Sequence, residues 1–392
     1  MTDLSSVGSV GGFVPPPYPY DRLNELRAIA ERHPGGCVDL SVGTPTDPAP
    51  DFVVAALADP ATINGYPLSA GSDRYRDAAA GWVGRRFGVD VDSSQLAACV
   101  GTKEFVTSLP HWLRLRLPDR DTVLYPAVSY PSYAMGAMLA GCRALPVEVD
   151  ERGRLLLDTI DDDDIARALC VWVNSPGNPA GGLEDLGMVA KWGRERDVLV
   201  ASDECYVEFT WNGAGHSILE HGVDGVLAVH SLSKRSNLAG ARVGFYAGDR
   251  DLVAYLLEVR KHAGLMVPGP VQAAAALAWS DDEHVEQQRA RYRARLSRMV
   301  DVLGQLGIPV SLPDGGFYLW VRSPSGDGWE LARRLAQEVG VLASPGEFYG
   351  DAARSYCRIA VVQSDRRIDL VEERVAAAVA TAAARHARTN GS

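Results

Sequence analysis

The segment 197-DVLVASDECYVEFTWNGAGHSILEHGVDGVLAVHSLSKRSNLAGARVGFYAG-248 contains three short apolar runs, at 197–204, 225–233 and 240–248. Runs of this length and composition are typical of strands that are buried on both faces of a mostly parallel sheet. A mostly parallel sheet requires helical connections that cover both of its faces. The segment therefore predicts an α/β fold.

The same pattern extends upstream to residue 96. Four further apolar runs alternate with amphipathic helices: LAACVG at 96–101, TVLYP at 122–126, RALPVEV at 143–149 and ALCVWVNSP at 168–176. After about residue 250 the pattern changes to a long helical region, a few strand-like runs and an Ala-rich final helix. We therefore expect an N-terminal arm with part of a small domain (1–48), a large domain (49–278) and a smaller C-terminal α+β domain (279–392).

The composition of the 392-residue chain argues against several classes of protein. The net charge is −11 and no block of Lys or Arg stands out, so a nucleic-acid partner is not expected. No Lys or Arg precedes Arg22, and the two long uncharged stretches contain prolines and glycines, so neither a secretory signal nor a membrane span is predicted. Six Cys without a CxxC pair indicate reduced thiols in a cytoplasmic protein.

No metal site is predicted. The acidic run at 161–164 precedes IARAL, and clustered Asp at the start of a helix is explained by the helix dipole. The sequence contains no HExxH, no GxxxxGK[ST] and no GxGxxG after a strand. The chemistry must therefore be sought in other residues.

Four polar motifs follow predicted strands. They begin at Asn174 (NSPGNP), Asp203 (DECY), Ser231 (SLSK) and Gly240 (GARVG). Open α/β sheets bind their ligands at the carboxyl ends of the strands. The motifs therefore predict one shared site.

Each residue alone also has an ordinary structural explanation. Lys234 follows an apolar strand and precedes Arg235 and Arg242; partial burial and cationic neighbours lower the pKa of a lysine and make its amine nucleophilic. A single lysine at a strand end is usually a solvated surface residue. Asp203 is predicted to be a buried carboxylate, which needs a partner and could pair with an arginine. Tyr206 alone is consistent with a core residue.

Together these residues match the requirements of pyridoxal 5'-phosphate. That cofactor needs a lysine amine for its aldehyde, an acid beside its ring nitrogen and hydrogen-bond donors at its phenolic oxygen. Its phosphate needs hydroxyls, backbone amides and an arginine. These needs are met, in that order, by Lys234, Asp203, Tyr206 with Asn178, and Ser231 and Ser233 with Arg242.

The order Asn-Pro, Asp-x-x-Tyr, Ser-x-Ser-Lys and Arg eight residues later resembles the class I/II aminotransferases of fold type I, over essentially the whole chain. The resemblance implies a pyridoxal-phosphate enzyme with a large, mostly parallel α/β domain and a smaller α+β domain. It also implies a phosphate-binding turn at Gly101, Thr102 and Lys103, a ring-stacking role for Tyr130, and a substrate contact at Gly43. Tyr66 resembles the tyrosine that reaches the cofactor phosphate of a neighbouring subunit, which implies a homodimer with shared active sites.

Arg358 lies between apolar residues on a predicted strand. A buried guanidinium needs an anionic partner, and a carboxylate matches its two-pronged geometry. The residue resembles the family's arginine for the substrate α-carboxylate, with Asn178 beside it. An internal salt bridge is the alternative.

Longer strings, including SLSKRSNLAGARVGF, GTKE and PGEFYG, resemble the N-succinyldiaminopimelate aminotransferases of bacterial lysine biosynthesis. This implies ping-pong transfer of an amino group between glutamate and N-succinyl-2-amino-6-ketopimelate. The alternatives are an aminotransferase for aspartate, alanine or aromatic acids, a carbon–sulfur lyase, or a non-enzymatic effector domain of a regulator. Lys103, Arg235 and Lys261 are candidates for binding distal carboxylates, although Lys261 also fits a solvated helix residue.

Overall fold

The structure is a computed structural model that describes residues 13–389. Its strands are β1 (Val38–Asp39), β2 (Leu96–Cys99), β3 (Thr122–Pro126), β4 (Arg143–Val147), β5 (Ala168–Asn174), β6 (Leu199–Asp203), β7 (Val226–Ser231), β8 (Gly244–Gly248), β9 (Tyr318–Arg322), β10 (Val341–Leu342), β11 (Ser344–Pro345) and β12 (Tyr356–Ala360). Its α-helices are α1 (Asn24–Ala30), α2 (Asp51–Ala56), α3 (Asp73–Phe87), α4 (Thr102–Arg116), α5 (Ser132–Leu139), α6 (Asp162–Ala166), α7 (Leu186–Glu195), α8 (Leu232–Arg235), α9 (Arg250–His262), α10 (Gly269–Ser280), α11 (Glu283–Gln305), α12 (Gly328–Val339) and α13 (Asp365–Thr389). The first twelve residues of the predicted N-terminal arm lie outside the described residues.

Seven strands form the large sheet in the order β2-β8-β7-β6-β5-β3-β4. The neighbours from β7 to β4 are parallel, whereas β8 is antiparallel to both β2 and β7. The predicted α/β class with a mostly parallel sheet is confirmed. The predicted strand at 240–248 begins only at Gly244, because residues 239–241 form a 3₁₀ turn. Since β8 runs antiparallel, its first residue pairs with Ser231, and the turn before it lies at the carboxyl edge of the sheet.

Helices cover both faces of this sheet, as the apolar strands require. Along β5, Val171 and Val173 pack into a core with the tryptophans of α3 and α10. The intervening Trp172 packs on the opposite face with Phe105 of α4 and Tyr133 of α5. Alternate residues of a strand point to opposite faces, so one wholly apolar strand contributes to two cores.

A separate core lies around the antiparallel sheet β11-β12-β9 and the parallel pair β1-β10. Residues of α11, α12 and α13 line this core, and so do Leu23, Leu26 and Val38 from the N-terminal segment. Val38 pairs in register with Val341 of β10. This sharing is why we propose that the segment within 1–48 belongs to the smaller domain. None of the helices described for residues 13–389 is long and apolar enough to cross a membrane.

Candidate active site

A cleft of about 530 Å³ opens at the carboxyl edge of β5, β6 and β7, between the large sheet and the second core. Most of the predicted site residues line it: Gly43, Thr102, Lys103, Tyr130, Asn178, Asp203, Tyr206, Ser231, Ser233, Lys234, Arg242 and Arg358. Asn174, Asp203 and Ser231 are the last residues of their strands. The topology of the sheet therefore brings together motifs that are far apart in the sequence.

Lys234 lies in the one-turn helix α8, directly after β7. Its Nζ donates a hydrogen bond to the carbonyl oxygen of Gly43. Burial lowers the pKa of Lys234 to about 8, and the positive charges of Arg358 and Arg242 act in the same direction. About a tenth of the amine is therefore neutral at pH 7 and about half at pH 8, and the neutral form is the one that acts as a nucleophile or base.

The other three of the chain's four lysines lie in different surroundings. Lys191 pairs with Glu195, and Lys261 pairs with Glu258, each on an exposed helical surface. The Lys103 Nζ lies at the mouth of the cleft, 5.4 Å from the ring centroid of Tyr18. All four lysines fall within the described residues, and Lys234 is half-buried whereas the other three are exposed.

Asp203 ends β6 and is only 7% exposed. Its Oδ2 accepts a hydrogen bond from the Tyr133 hydroxyl (2.9 Å), and its Oδ1 accepts one from the backbone N–H of Cys205 (3.2 Å). Burial raises the pKa of Asp203, whereas these bonds oppose the rise. No arginine or lysine of the described residues forms an ion pair with it, so the carboxylate is available to a cationic group of a ligand.

Removing the Tyr133 hydroxyl tests the bond to Asp203. In Tyr133→Phe, the ionised carboxylate loses a hydrogen bond, so the pKa of Asp203 rises and the acidic limb of the kcat/KM profile moves to higher pH. A bond to a charged group corresponds to roughly one pH unit. The measurement is the pH profile of transamination, with Tyr125→Phe as a control for loss of a phenol elsewhere on the sheet. Identical acidic limbs in Tyr133→Phe and wild type would contradict the expectation.

The start of α4 forms a cradle beside Ser231 and Ser233. Gly101 precedes the helix with φ +76°, and a Cβ there would overlap the guanidinium of Arg242. Gly101 offers no side chain to cap the helix, so the first backbone N–H groups of α4 remain available to an anion. The Ser231 hydroxyl accepts the Ser233 N–H (3.1 Å), which leaves its own hydrogen free to donate. Arg242 itself has φ +54°, a strained conformation that is common at functional sites.

Arg358 on β12 is 1% exposed. Its Nη1 donates to Oδ1 of Asn178 (2.8 Å), and its Nη2 donates to the carbonyl oxygen of Ser41 (2.6 Å) and to the hydroxyl of Tyr20 (3.3 Å). Its Nε has no hydrogen-bond partner among the described residues. No carboxylate within residues 13–389 pairs with Arg358, so the internal salt bridge considered from the sequence is not formed. A buried cation in this state is suited to bind a substrate carboxylate.

Sequence reasoning did not single out Tyr133 or Tyr318, and it gave Asn174 no role beyond opening one of the four motifs. Asn174 accepts the N–H of Asn178 (2.7 Å) and donates to the carbonyl oxygen of Asp203 (2.7 Å), so it joins two of the motifs. The Tyr318 hydroxyl lies 2.8 Å from that of Tyr206, and its ring lies 4.2 Å below the Arg358 guanidinium. A Cβ on Gly43 would overlap the same Tyr318 hydroxyl. The position of Asn174 at a strand end was a usable signal, whereas the two tyrosines had none.

Three residues singled out from the sequence lie outside the cleft. Tyr66 is 96% exposed on this single chain. Lys261 is a surface helix residue, in agreement with the alternative given for it. The expectation that Arg235 could bind a distal carboxylate of a substrate is wrong, because its guanidinium is buried against Glu208 and Asp282.

The fold places a half-buried lysine at the carboxyl edge of a mostly parallel sheet. A sequence profile of the family described as "Aminotransferase class I and II" matches residues 36–375. The chain therefore belongs to the class I and II aminotransferases. Enzymes of this family depend on pyridoxal phosphate and act on small amino and keto acids.

The chain is similar to several aminotransferases. It is 41% identical to "4-dedimethylamino-4-oxo-anhydrotetracycline transaminase OxyQ" of Streptomyces rimosus, over 90% of this chain and 97% of that protein. It is 33% identical to the "LL-diaminopimelate aminotransferase" of Aquifex aeolicus, over 92% and 96%. The solved structure of a "probable N-succinyldiaminopimelate aminotransferase" from Thermus thermophilus superimposes with a TM-score of 0.82 at 30% identity and covers 92% of this chain and 100% of that one.

The residues present fit pyridoxal phosphate. Asp203 is a buried carboxylate without a cationic partner among the described residues, as a protonated ring nitrogen requires. The cradle of Gly101, Ser231 and Arg242 offers N–H, O–H and guanidinium donors to a phosphate. Lys234, which directly follows β7, lines the same cleft as Asp203 and the cradle.

Proposed function

We propose that this aminotransferase moves an amino group between glutamate and N-succinyl-2-amino-6-ketopimelate, a reaction of diaminopimelate and lysine biosynthesis. The observation that carries the proposal is a pair of cations at different places in one cleft. Arg358 is buried at the base, and Lys103 lies at the mouth; neither pairs with a carboxylate of the described residues. Both proposed substrates carry two or more carboxylates, so one cation binds the α-carboxylate and the other a distal one.

The cofactor is held by residues of the sheet edge in this proposal. Lys234 attaches it, Asp203 keeps its ring nitrogen protonated, and Tyr206 with Asn178 binds its phenolic oxygen. Its ring stacks on Tyr130. Its phosphate is bound by the backbone N–H groups of Gly101, Thr102 and Lys103, by the hydroxyls of Ser231 and Ser233 and by Arg242, together with Tyr66 from a second subunit.

The reaction is a ping-pong exchange. Arg358 and Asn178 bind the α-carboxylate of glutamate, and the backbone of Gly43 lies alongside the substrate. When bound, the cofactor supplies an electron sink for the bond that breaks at the α-carbon. The freed Nζ of Lys234 takes the α-proton and would return it to the cofactor, where the amino group would stay when water releases 2-oxoglutarate. The lowered pKa of Lys234 suits both proton transfers. After 2-oxoglutarate leaves, the keto acid enters the same contacts and the steps run in reverse.

We also propose a cytoplasmic homodimer. The six cysteines are free thiols, which supports a reducing compartment. The exposed Tyr66 has Ile63 and Leu68 nearby in sequence, both with large exposed fractions. A partner subunit that covers these residues would place Tyr66 in a second active site.

A substrate screen tests the proposed function. Purified holoenzyme is mixed with glutamate, which converts the bound cofactor to its amino form and removes the visible absorbance. Candidate keto acids are then added one at a time. N-Succinyl-2-amino-6-ketopimelate is expected to restore the absorbance at a concentration at least about tenfold below that of oxaloacetate, pyruvate or phenylpyruvate. If only a simple keto acid restores the absorbance, the enzyme is still a transaminase but the assignment to lysine biosynthesis is wrong.

The similarity to the tetracycline-pathway transaminase supports a second candidate, transfer to a polycyclic ketone. The same screen separates the two candidates when an anhydrotetracycline ketone is included. That acceptor has no distal carboxylate for Lys103, so its use would not depend on this lysine.

Replacing Lys103 tests its proposed contact with a distal carboxylate. In Lys103→Met, the KM for glutamate should rise roughly tenfold, because a charge-assisted bond is lost while the length of the side chain is kept. The KM for alanine should stay near the wild-type value. Lys261→Met, on the exposed face of α9, is the matched control. An equal rise for both amino acids would instead assign the Lys103 side chain to the cofactor phosphate.

A further inference from the structure

Arg235 directly follows Lys234 in the chain, yet its side chain points away from the cleft. Its Nε donates to Oε1 of Glu208 (2.9 Å), and both side chains are at least nine-tenths buried. Glu208 lies two residues after Tyr206. We propose that Arg235 is a positioning residue, which fixes Lys234 and Tyr206 relative to one another through this buried ion pair. The inference rests on the proposed roles of Lys234 and Tyr206.

The guanidinium of Arg235 has partners on every side. Its Nη1 donates to the carbonyl oxygen of Ala278 (2.6 Å), and its Nη2 donates to that of Asp281 (3.1 Å) and to Oδ1 of Asp282 (2.5 Å). These carbonyls belong to the last turn of α10 and the residue that follows it, where backbone oxygens lack helical partners. The group also lies against two indole rings that contact each other, 5.6 Å from the centroid of Trp82 and 5.3 Å from that of Trp279.

Glu208 is held just as firmly. Its Oε1 also accepts the indole N–H of Trp82 (2.9 Å), and its Oε2 accepts Nε of Arg86 (2.9 Å). Burial favours the protonated acid, but the charges of Arg235 and Arg86 outweigh it, so the pKa of Glu208 lies below its usual value. The carboxylate therefore remains ionised, and the pair stays charged while it is buried.

Lys234 needs such an anchor because α8 is only four residues long. A single helical turn is not stable by itself, so the direction of its side chains depends on tertiary contacts. Ser236, at the other end of the turn, is bound to Nε2 of His284 (2.8 Å), and His284 is bound to Asp281 (2.5 Å). Arg235 and Ser236 thus tie the lysine turn to residues 281–284, where the chain passes from α10 into α11.

This junction between α10 and α11 connects the core of the large sheet with the second core, and the cleft lies between them. Trp279 belongs to a core of the large sheet, whereas Tyr292 of α11 belongs to the second core, from which Arg358 approaches the cleft. The contacts of Arg235 therefore relate the lysine that moves the proton to the part of the molecule that binds the substrate carboxylate. A small displacement there changes the geometry of proton transfer more than substrate affinity.

Arg235→Lys tests the inference, because it keeps the positive charge and removes the planar guanidinium with its several N–H donors. We expect kcat to fall roughly 10- to 100-fold with little change in the KM for glutamate, as for a misplaced catalytic group. The pH midpoint of the visible absorbance of the bound cofactor should shift by at least about half a unit, because the surroundings of Lys234 change. Glu208→Gln should shift both quantities in the same direction, and it serves as the test if Arg235→Lys does not fold.

Arg85→Lys is the matched control. Arg85 binds Asp282 (3.0 Å) and the carbonyl oxygen of Trp279 (2.8 Å) at the same junction, and within the described residues it forms no hydrogen bond or ion pair with Glu208 or with the lysine turn. It should leave kcat and the absorbance midpoint at wild-type values. If Arg235→Lys and Glu208→Gln lower only the melting temperature, Arg235 is structural and the inference is overturned. That outcome differs from failure of the proposed function, in which Lys234→Ala itself would keep the normal absorbance and turnover.

Discussion

Lys234→Ala is expected to abolish turnover and the visible absorbance of the bound cofactor. The variant loses both the amine that attaches the cofactor and the base that moves the α-proton, and base catalysis alone accounts for about 10²- to 10⁴-fold. The lysine's pKa of about 8 and its contact with Gly43 suit both roles. The measurements are the glutamate half-reaction, followed in a stopped-flow instrument, and the absorbance spectrum of the purified protein.

The chain provides its own controls for this change. Lys191→Ala and Lys261→Ala remove exposed lysines that pair with carboxylates on their own helices. Both variants should retain normal turnover and absorbance. Borohydride reduction of the wild-type holoenzyme, followed by peptide mapping, should find the cofactor on Lys234 and on no other lysine. Normal turnover in Lys234→Ala would remove the assignment of the active site.

The fold was predictable because the apolar composition of its strands is visible in the sequence. Runs such as ALCVWV are apolar at every position, and a run of this length with turn residues after it is typical of a strand covered on both faces. The rule that ligands bind at the carboxyl ends of strands then placed Asn178, Asp203 and Lys234 in one site before any contact was known. The direction of β8 was not predictable, because an apolar run of five residues has the same composition in either orientation.

The contacts that sequence reasoning missed depend on the direction of side chains across long separations. Tyr133 reaches Asp203 from seventy residues away, and Tyr318 meets Tyr206 across 112 residues. Arg235 is the clearest case: its neighbour Lys234 lines the cleft, whereas Arg235 points away from the cleft to Glu208. Successive residues of a helical turn point about 100° apart, so adjacency to Lys234 favoured the wrong face.

Arg358→Ala is expected to reduce kcat/KM by roughly 100-fold or more for every amino acid tested, since removing one member of a buried charge pair costs several kcal/mol. All substrates share the α-carboxylate, so glutamate and alanine should lose similar factors. Arg358→Lys keeps the charge but cannot offer two parallel N–H donors, so it should recover only part of the loss. The measurement is kcat/KM for both amino acids, with holoenzyme confirmed by its absorbance.

Arg322→Ala on the adjacent strand β9 is the control, because Arg322 is exposed and does not line the cleft. The Arg358 variants also leave Asn178 and the Ser41 carbonyl without their donor, so melting temperatures must be recorded beside the kinetics. A stability loss alone would lower the amount of active enzyme without changing KM. A loss confined to glutamate would show that Arg358 binds the distal carboxylate, and Lys103 would then be the group to examine for the α-carboxylate.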